Sequence, residues 1–240
     1  MKTLTPGQLE QLRSFGTSVI ASTVETFHVR LPNVGFTNSG IRCLFPEHPP
    51  IVGYAVTARV RSAQPPMEGG SYYYDYEDWW KYILTIPHPR VVVLEDIDDP
   101  PGLGAYLGQV NAEVLAALGC TALVTNGAAR DVSAVRSTGF QVFAGNLSVS
   151  HAYAHISDFG GQVEVAGMKV SPGGLLHGDM HGVVTVPLEI ATDVPTVAYE
   201  IVKRRQAITG FCHSPNFDIE ELRRLMLETE LKHLIDEPKK

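Results

Sequence analysis

The sequence predicts an α/β fold from three observations. Short apolar runs, of a length that suits buried strands, recur from residue 51 onward. Between them lie stretches with apolar residues at helical spacing. Glycine-rich or polar segments mark the joins. Such alternation implies βαβ units and at least partly parallel pairing.

Taken in order, Thr5-Pro6 opens the first helix, with Thr5 as N-cap and Pro6 at the first helical position, and Gly16 ends it. Thr17 to Phe27 reads as a second helix, with Val19, Ile20, Val24 and Phe27 on a common side. In IVGYAVTARVRS (51–62), Val52, Tyr54, Val56, Ala58 and Val60 share one face of a strand. SAQPPMEGG is a flexible connection. SYYYDYEDWWKY then gathers Tyr72, Tyr73, Tyr74, Tyr76, Trp79, Trp80 and Tyr82, seven of the chain's 20 aromatic residues. Such a segment either packs at a core edge or subunit interface, where Tyr and Trp are common, or forms the wall or lid of a ligand pocket.

RVVVLED (90–96) is a buried strand followed by the Pro-Gly-rich loop IDDPPGLGAY. LGQVNAEVLAALGC (107–120) is a helix with Val110, Val114, Ala117 and Leu118 on one face. TALVT (121–125) is a second buried strand, NGAARD a turn, and VSAVRSTG a short helix closed by Gly139. QVFAG (141–145) is a third strand. Residues 162–187 read as short β segments joined by Gly turns, and 188–207 and 218–236 as helices. The expected organisation is one domain over 1–240, with a core of about 17–190 and C-terminal helices in 191–240.

Composition bounds the function. Hydrophobic residues at 44% and charged residues at 19% exclude wholesale disorder. Nineteen Lys+Arg against 26 Asp+Glu give a net charge of -7 with no basic block, which argues against nucleic acid and anionic membranes as partners. A small anionic substrate stays compatible, because one Arg can serve it. Cys43, Cys120 and Cys212 form no CxxC pair, so a disulfide framework or zinc site is not expected and a reducing cytoplasm is. No apolar run reaches the roughly 18 residues of a membrane helix, and no apolar core follows Lys2 to make a secretory signal.

Two segments could carry chemistry. After strand 90–96, Gly102, Gly104 and Gly108 allow close backbone approach, and the helix starting near Gly108 offers free N–H groups suited to a carboxylate or phosphate. No P-loop or dinucleotide fingerprint is present. After strand 121–125 comes Asn126-Gly127-Ala128-Ala129-Arg130-Asp131. Arg130 can bind a carboxylate through two parallel hydrogen bonds, and Asp131 can hold a hard cation such as Mg2+. Alternatively, Asp131 caps the following helix and Arg130 is a solvated or salt-bridged side chain. His177 and His181 lie four apart in a β-turn region, which is poor geometry for a metal pair, and Asp179 between them reads as a turn residue.

LGQVNAEVLAALGCTALVTNGAARDVSAVRSTGFQVFA (107–144) resembles the core of the RraA-like family. VSPGGLLHGDMHGVVTVP (170–187) and VGYAVTARV (52–60) are similar to its later and earlier segments. The resemblance covers about 55–190, and Gly127, Arg130 and Asp131 are its most specific part. That family includes class II pyruvate aldolases for 4-hydroxy-4-methyl-2-oxoglutarate and 4-carboxy-4-hydroxy-2-oxoadipate, and proteins named as regulators of ribonuclease E.

The resemblance implies a phosphohistidine swivelling-domain-like α-β-β-α sandwich, assembled as a homotrimer or homohexamer. It implies a lyase using Mg2+, Mn2+ or another divalent cation on a small 2-oxo acid, by retro-aldol cleavage or oxaloacetate decarboxylation. The backbone at Gly108, Gln109, Val110 and Asn111 would cradle the pyruvyl end, Arg130 would bind its oxygens, and Asp131 would ligate the metal. The family's aldolases carry an acid, twenty intervening residues, then Arg-Asp. Here that position is Gln109, a neutral residue placed among the catalytic candidates. A regulatory, non-catalytic protein on the same scaffold is the competing expectation, and Asn126 stands where Asp is frequent.

Overall fold

The protein is represented by a computed structural model, which describes residues 3–66 and 76–235. The chain begins with α1 (Pro6–Arg13) and α2 (Thr17–Thr26), followed by β1 (Arg42–Cys43), β2 (Ile51–Arg61) and α3 (Tyr76–Thr85). Next come β3 (Arg90–Asp96), β4 (Ala105–Leu107), α4 (Gln109–Ala117), β5 (Cys120–Ala129), α5 (Val132–Ser137) and β6 (Gln141–Leu147). The remainder is β7 (His155–Phe159), β8 (Val163–Val165), β9 (Met168–Val170), β10 (Leu175–Asp179), β11 (Gly182–Val186), α6 (Val194–Cys212) and α7 (Ile219–Ile235).

The result is a mixed α/β fold built on one large, nearly closed sheet. Its main path runs β1-β6-β5-β3-β2-β10-β11, with β4 paired to β5 and β7 to β2. The β2-β3-β5-β6 pairings at its centre are all parallel, as the strand–helix alternation predicts. The period-2 pattern sorts side chains between two cores. Val52, Tyr54, Val56, Ala58 and Val60 of β2 and Val92 and Leu94 of β3 join a cluster with Leu9 and Leu12 of α1, Ile20 of α2, Leu115 of α4 and Val194 of α6. Ile51 and Ala55, Val91 and Val93, and Ala122 and Val124 face the other way, onto Val163, Val165, Met168 and Val170 of the β8-β9 pair. Helices therefore cover one face and a small second sheet fills the other. Both faces are buried, which is why the strands read as nearly continuous apolar runs.

Several local expectations change. Thr5 caps α1 as expected, accepting the Gln8 N–H while the Gln8 side chain accepts the Thr5 N–H. Ser14, not Gly16, closes that helix, and Gly16 opens α2. NGAARD is not a turn up to Ala129: β5 continues to that residue, because β4 on one side and β6 on the other both pair with its last part. The buried face of α4 is Ala112 and Leu115, whereas Val110 is 75% exposed. Helical spacing alone did not specify which apolar stripe faces inward. The aromatic segment is described from Tyr76 onward, and Tyr72, Tyr73 and Tyr74 lie outside the described residues. Trp79 packs with Tyr82 and Phe159 at the core edge.

Asp179 does more than shape a turn. Its Oδ2 accepts the Thr17 N–H at 2.8 Å, supplying the cap that Gly16 lacks, and its Oδ1 accepts the His181 N–H at 2.9 Å. Burial raises the Asp179 pKa, but the N–H bonds from His181 and Thr17 outweigh that and hold it below the ordinary carboxylate value. His177 is fully buried, with Nδ1 2.9 Å from Thr17 Oγ1 and Nε2 3.2 Å from the Leu12 carbonyl. A carbonyl can only accept, so Nε2 carries the proton and Nδ1 accepts from the hydroxyl. Burial presses the His177 pKa down to about 4. The imidazole is a neutral strut between α1, α2 and β10.

Candidate functional site

Two parallel strands that end together build the site. Leu107, last in β4, pairs with Ala129, last in β5, and the Arg130 N–H donates to the Leu107 carbonyl at 2.9 Å. The next residues of both chains, Gly108-Gln109 and Arg130-Asp131, therefore emerge side by side at the strands' carboxyl ends. Gly108 is the N-cap of α4, and the first bond of the helical ladder runs from the Ala112 N–H to the Gly108 carbonyl. The N–H groups of Gln109, Val110 and Asn111 precede that ladder and lie at the positive end of the helix dipole.

Asp131 does not make the side-chain cap that one alternative expected. It holds the N-cap position of α5 in left-handed backbone, with φ 53° and ψ 35°, yet its side chain makes no cap hydrogen bond. Its Oδ2 instead accepts the Gln109 N–H at 3.2 Å and lies 3.7 Å from Arg130 Nε. Left-handed backbone in a residue other than glycine carries strain, and here it aims the carboxylate across to α4. A Cβ on Gly108 would sit 2.7 Å from that oxygen, so this close approach requires glycine.

Polar contacts behind the cleft hold the two strand ends. Asp96, last in β3 and 4% exposed, accepts the Gly102 N–H at 2.8 Å and the Asp98 N–H at 3.0 Å. Burial raises the Asp96 pKa above the usual carboxylate value, partly offset by those N–H bonds. Asp98 in turn accepts the N–H groups of Ser62 and Ala63 and the Ser62 hydroxyl. Asn126 accepts the Asp96 N–H at 2.8 Å and donates to the Asp96 carbonyl at 2.9 Å, bridging the register shift in β5. This network anchors the glycine loop that leads to Gly108. Asn126 thus has a structural task that the sequence reading did not foresee.

All six sequence candidates, Gly108, Gln109, Val110, Asn111, Arg130 and Asp131, line one cleft of about 250 Å³. Ala105 and Ala154 also line it, together with Tyr76, Tyr106 and His151. These three were not singled out as site residues, although Tyr76 lay in the aromatic segment for which a pocket wall was one reading. His151 had no motif to mark it. Its Nδ1 lies 2.6 Å from the Ala152 carbonyl, so Nδ1 carries a proton, and in the neutral imidazole the lone pair is then on Nε2. The Asn111 side chain donates to the Tyr106 carbonyl at 2.6 Å, tying the helix start to the end of the loop. Glu25 lines a separate cleft between α2 and α6.

The sequence profile of the RraA-like family, described as Aldolase/RraA, matches residues 20–185. The chain belongs to the RraA-like family. This family includes aldolase and decarboxylase members as well as ribonuclease E inhibitors. The RraA-like chain is also similar to a protein of Methanocaldococcus jannaschii described as uncharacterized, with 24% identity over 180 residues, covering 71% of this chain and 76% of that one. Solved structures share the RraA-like fold. One from Pseudomonas syringae pv. tomato, of an uncharacterized protein, superposes with a TM-score of 0.72 at 20% identity, covering 93% of this chain and 95% of that one. Another, from Streptomyces coelicolor, is described as an unusual member of the RNase ES inhibitor RraA family. It gives a TM-score of 0.67 at 18% identity, covering 86% of this chain and 97% of that one. At these identities the structures establish the fold.

Proposed function

We propose that the protein is a divalent-metal-dependent lyase that releases pyruvate. Its reactions are retro-aldol cleavage of 4-hydroxy-2-oxo acids, of the 4-hydroxy-4-methyl-2-oxoglutarate aldolase type, and decarboxylation of oxaloacetate. The observation that carries this reading is the convergence of Arg130, Asp131 and the first turn of α4 on one small cleft. The planar guanidinium of Arg130 binds the substrate carboxylate, and the α4 N–H groups receive the oxygens of the 2-oxo end.

Asp131 suits a hard cation, since its carboxylate is 45% exposed and faces the cleft. Among the described residues no group of three or more His, Cys, Asp or Glu could hold a metal, so an all-protein cage does not fit. A Mg2+ or Mn2+ that keeps most of its waters would be held by the Asp131 carboxylate. Bound there, it would polarise the keto group and stabilise negative charge as the carbon–carbon bond breaks.

In the retro-aldol direction the C3–C4 bond breaks and its electron pair stays on C3 as the pyruvate enolate. The C4 hydroxyl loses a proton and becomes the carbonyl of the second product, and C3 is then protonated. Oxaloacetate gives the same enolate as CO2 leaves, with no hydroxyl proton to remove. Gln109 cannot accept that proton. Among the described lining residues, His151, with its Nε2 lone pair, has the matching chemistry. The working form is a cytoplasmic homo-oligomer, a trimer or hexamer.

The test is pyruvate release with Mg2+ or Mn2+ from 4-hydroxy-2-oxo acids and oxaloacetate. Turnover lost in Asp131→Ala supports the reading, and no turnover above background on any of them defeats it. Gln109 favours a second reading, a non-catalytic regulator like the family's ribonuclease inhibitors. On that reading the exclusion of nucleic acid drawn from net charge has no support, because such regulators act in RNA processing. Capture of a ribonuclease partner, without turnover, would favour it.

A further inference from the structure

Arg130 and Asp131 follow β5 directly, but His151 reaches the cleft from residues 148–154, which join β6 to β7. Within that loop Ala152 takes left-handed backbone, with φ 47°, and its carbonyl is the one 2.6 Å from His151 Nδ1. Such a conformation costs energy at alanine and persists only where the surroundings hold it. The holding contacts come from Ser62, the residue after β2, and from the glycine loop 97–104 with the start of β4. The Tyr153 N–H donates to the Ser62 carbonyl at 3.1 Å, and the Ala105 N–H donates to the Ser150 carbonyl at 2.9 Å, so the backbone is tied on both sides of His151. Gly104 packs directly against it. A Cβ there would lie 2.5 Å from the His151 carbonyl oxygen and 2.9 Å from Ala152 Cβ.

Gly104 is itself fixed by Ser62. Its N–H donates to the Ser62 hydroxyl at 3.0 Å, and that hydroxyl donates to Asp98 Oδ2 at 2.9 Å. The same carboxylate oxygen accepts the N–H groups of Ser62 and Ala63 at 2.6 and 2.9 Å. Ser62 therefore bonds to both loops, through its hydroxyl to one and its carbonyl to the other. It is 1% exposed, so deleting the hydroxyl strands a Gly104 donor that water does not reach.

We propose that Ser62 and Asp98 are positioning residues for the retro-aldol step: through Gly104 and Tyr153 they set where His151 Nε2 stands to take the C4 hydroxyl proton. This rests on the lyase reading and on the role it gives His151. The proton passes from the C4 hydroxyl to Nε2 as the C3–C4 electron pair moves to C3, and Ser62 and Asp98 exchange no proton. Arg130 and Asp131 are anchored separately, by the Arg130 N–H on the Leu107 carbonyl and the Gln109 N–H on Asp131. Oxaloacetate decarboxylation, which removes no hydroxyl proton, should therefore be indifferent to Ser62.

The experiment measures kcat and KM for pyruvate release from 4-hydroxy-4-methyl-2-oxoglutarate and from oxaloacetate, on the full chain with Mg2+. Mn2+ affinity reads the Asp131 side independently of either reaction. Ser62→Ala removes the hydroxyl and Asp98→Ala removes its acceptor. Each should lower kcat for retro-aldol cleavage on the order of ten-fold or more. KM, oxaloacetate turnover and Mn2+ affinity should stay within about twofold. Asp98→Asn can keep one oxygen where all three bonds are made, and should restore retro-aldol turnover. In a His151→Gln background Ser62→Ala should bring no further loss, because the imidazole it positions is gone. A residue that only stabilised the fold would slow both reactions and add its effect to that of His151→Gln. Circular dichroism and Tm identify a variant that fails to fold, and the other variant then decides. Equal losses in the two reactions, an unchanged retro-aldol rate in a folded variant, or an additive loss in the double variant overturns the proposal and leaves the lyase reading standing. Turnover of oxaloacetate alone has the same meaning. No pyruvate from either substrate defeats both.

Discussion

Gly108→Ala tests how tightly the site depends on one close approach. Gly108 has φ −132° and ψ −173°, extended backbone that any residue adopts, so alanine there brings no backbone strain. The effect is steric. The new Cβ would lie 2.7 Å from Asp131 Oδ2, 3.1 Å from Arg130 Nε and 3.3 Å from Arg130 Cγ, where ordinary contact begins at 3.4 Å. The carboxylate must retreat by about 0.7 Å, and the guanidinium must shift with it. Misplacement on that scale costs on the order of 100-fold in rate, or about 2.7 kcal/mol. Both side chains are partly exposed and can move into the cleft, so Tm should change by only a few degrees. The assay is kcat/KM for pyruvate release, paired with Mn2+ affinity measured by electron paramagnetic resonance. Activity should fall about a hundred-fold, and Mn2+ binding should weaken. Wild-type kcat/KM within twofold, with unaltered Mn2+ affinity, would refute the claim that Asp131 works from its place against Gly108.

The other predictions probe separate groups. Arg130→Lys keeps the charge and loses the planar fork, so KM should rise and kcat fall; a kcat/KM within about twofold, worth about 0.4 kcal/mol, would mean that Arg130 is not the carboxylate anchor. Gln109→Asp and Gln109→Glu add a second carboxylate beside Asp131 and should tighten Mg2+ and raise turnover; if neither variant changes metal affinity, position 109 does not face the cation. His151→Gln should slow aldol cleavage more than oxaloacetate decarboxylation, because only the first removes a hydroxyl proton; equal losses would remove His151 from that role. His177 stays neutral in the fold down to about pH 4, whereas the unfolded chain takes up its proton near the ordinary 6.5. Stability should therefore fall as pH drops from 6.5 towards 4, by up to about 3 kcal/mol. Denaturant titrations across that range should show a shallower fall in His177→Gln, and an unaltered slope would place the proton uptake elsewhere.

The sequence disclosed those features whose physical cause is local. Alternation along β2 placed its side chains on two faces, because a strand's period is fixed by its pleat. Thr5 and Pro6 announced α1 through local causes, a side-chain cap and a fixed φ. The pairing of Arg130-Asp131 with the start at Gly108 was legible through family resemblance and not through spacing, since spacing left Asp131 equally able to cap α5. Features that depend on distant partners were hidden. Asn126-Gly127 looks like a turn until Asp96 and the edge strand β4 are seen beside it. Asp179 looks like a loop residue until the N–H of Thr17, 162 positions away, arrives to use it. Val110 shared an apolar helical stripe with Val114, Ala117 and Leu118, and spacing cannot tell a buried stripe from a cleft lining. His151 reaches the cleft through an irregular loop that has no periodic signal to read.

The most direct test is a crystal structure of the protein soaked with Mn2+ and pyruvate, using anomalous scattering to locate the cation. The account predicts a hydrated Mn2+ on the Asp131 carboxylate, with the pyruvate carboxylate on Arg130 and its oxygens facing the N–H groups of Val110 and Asn111. The same soak of Asp131→Ala should lose the anomalous peak. A cation bound elsewhere, or pyruvate absent from the cleft while Arg130 and Asp131 keep the positions described, would contradict it.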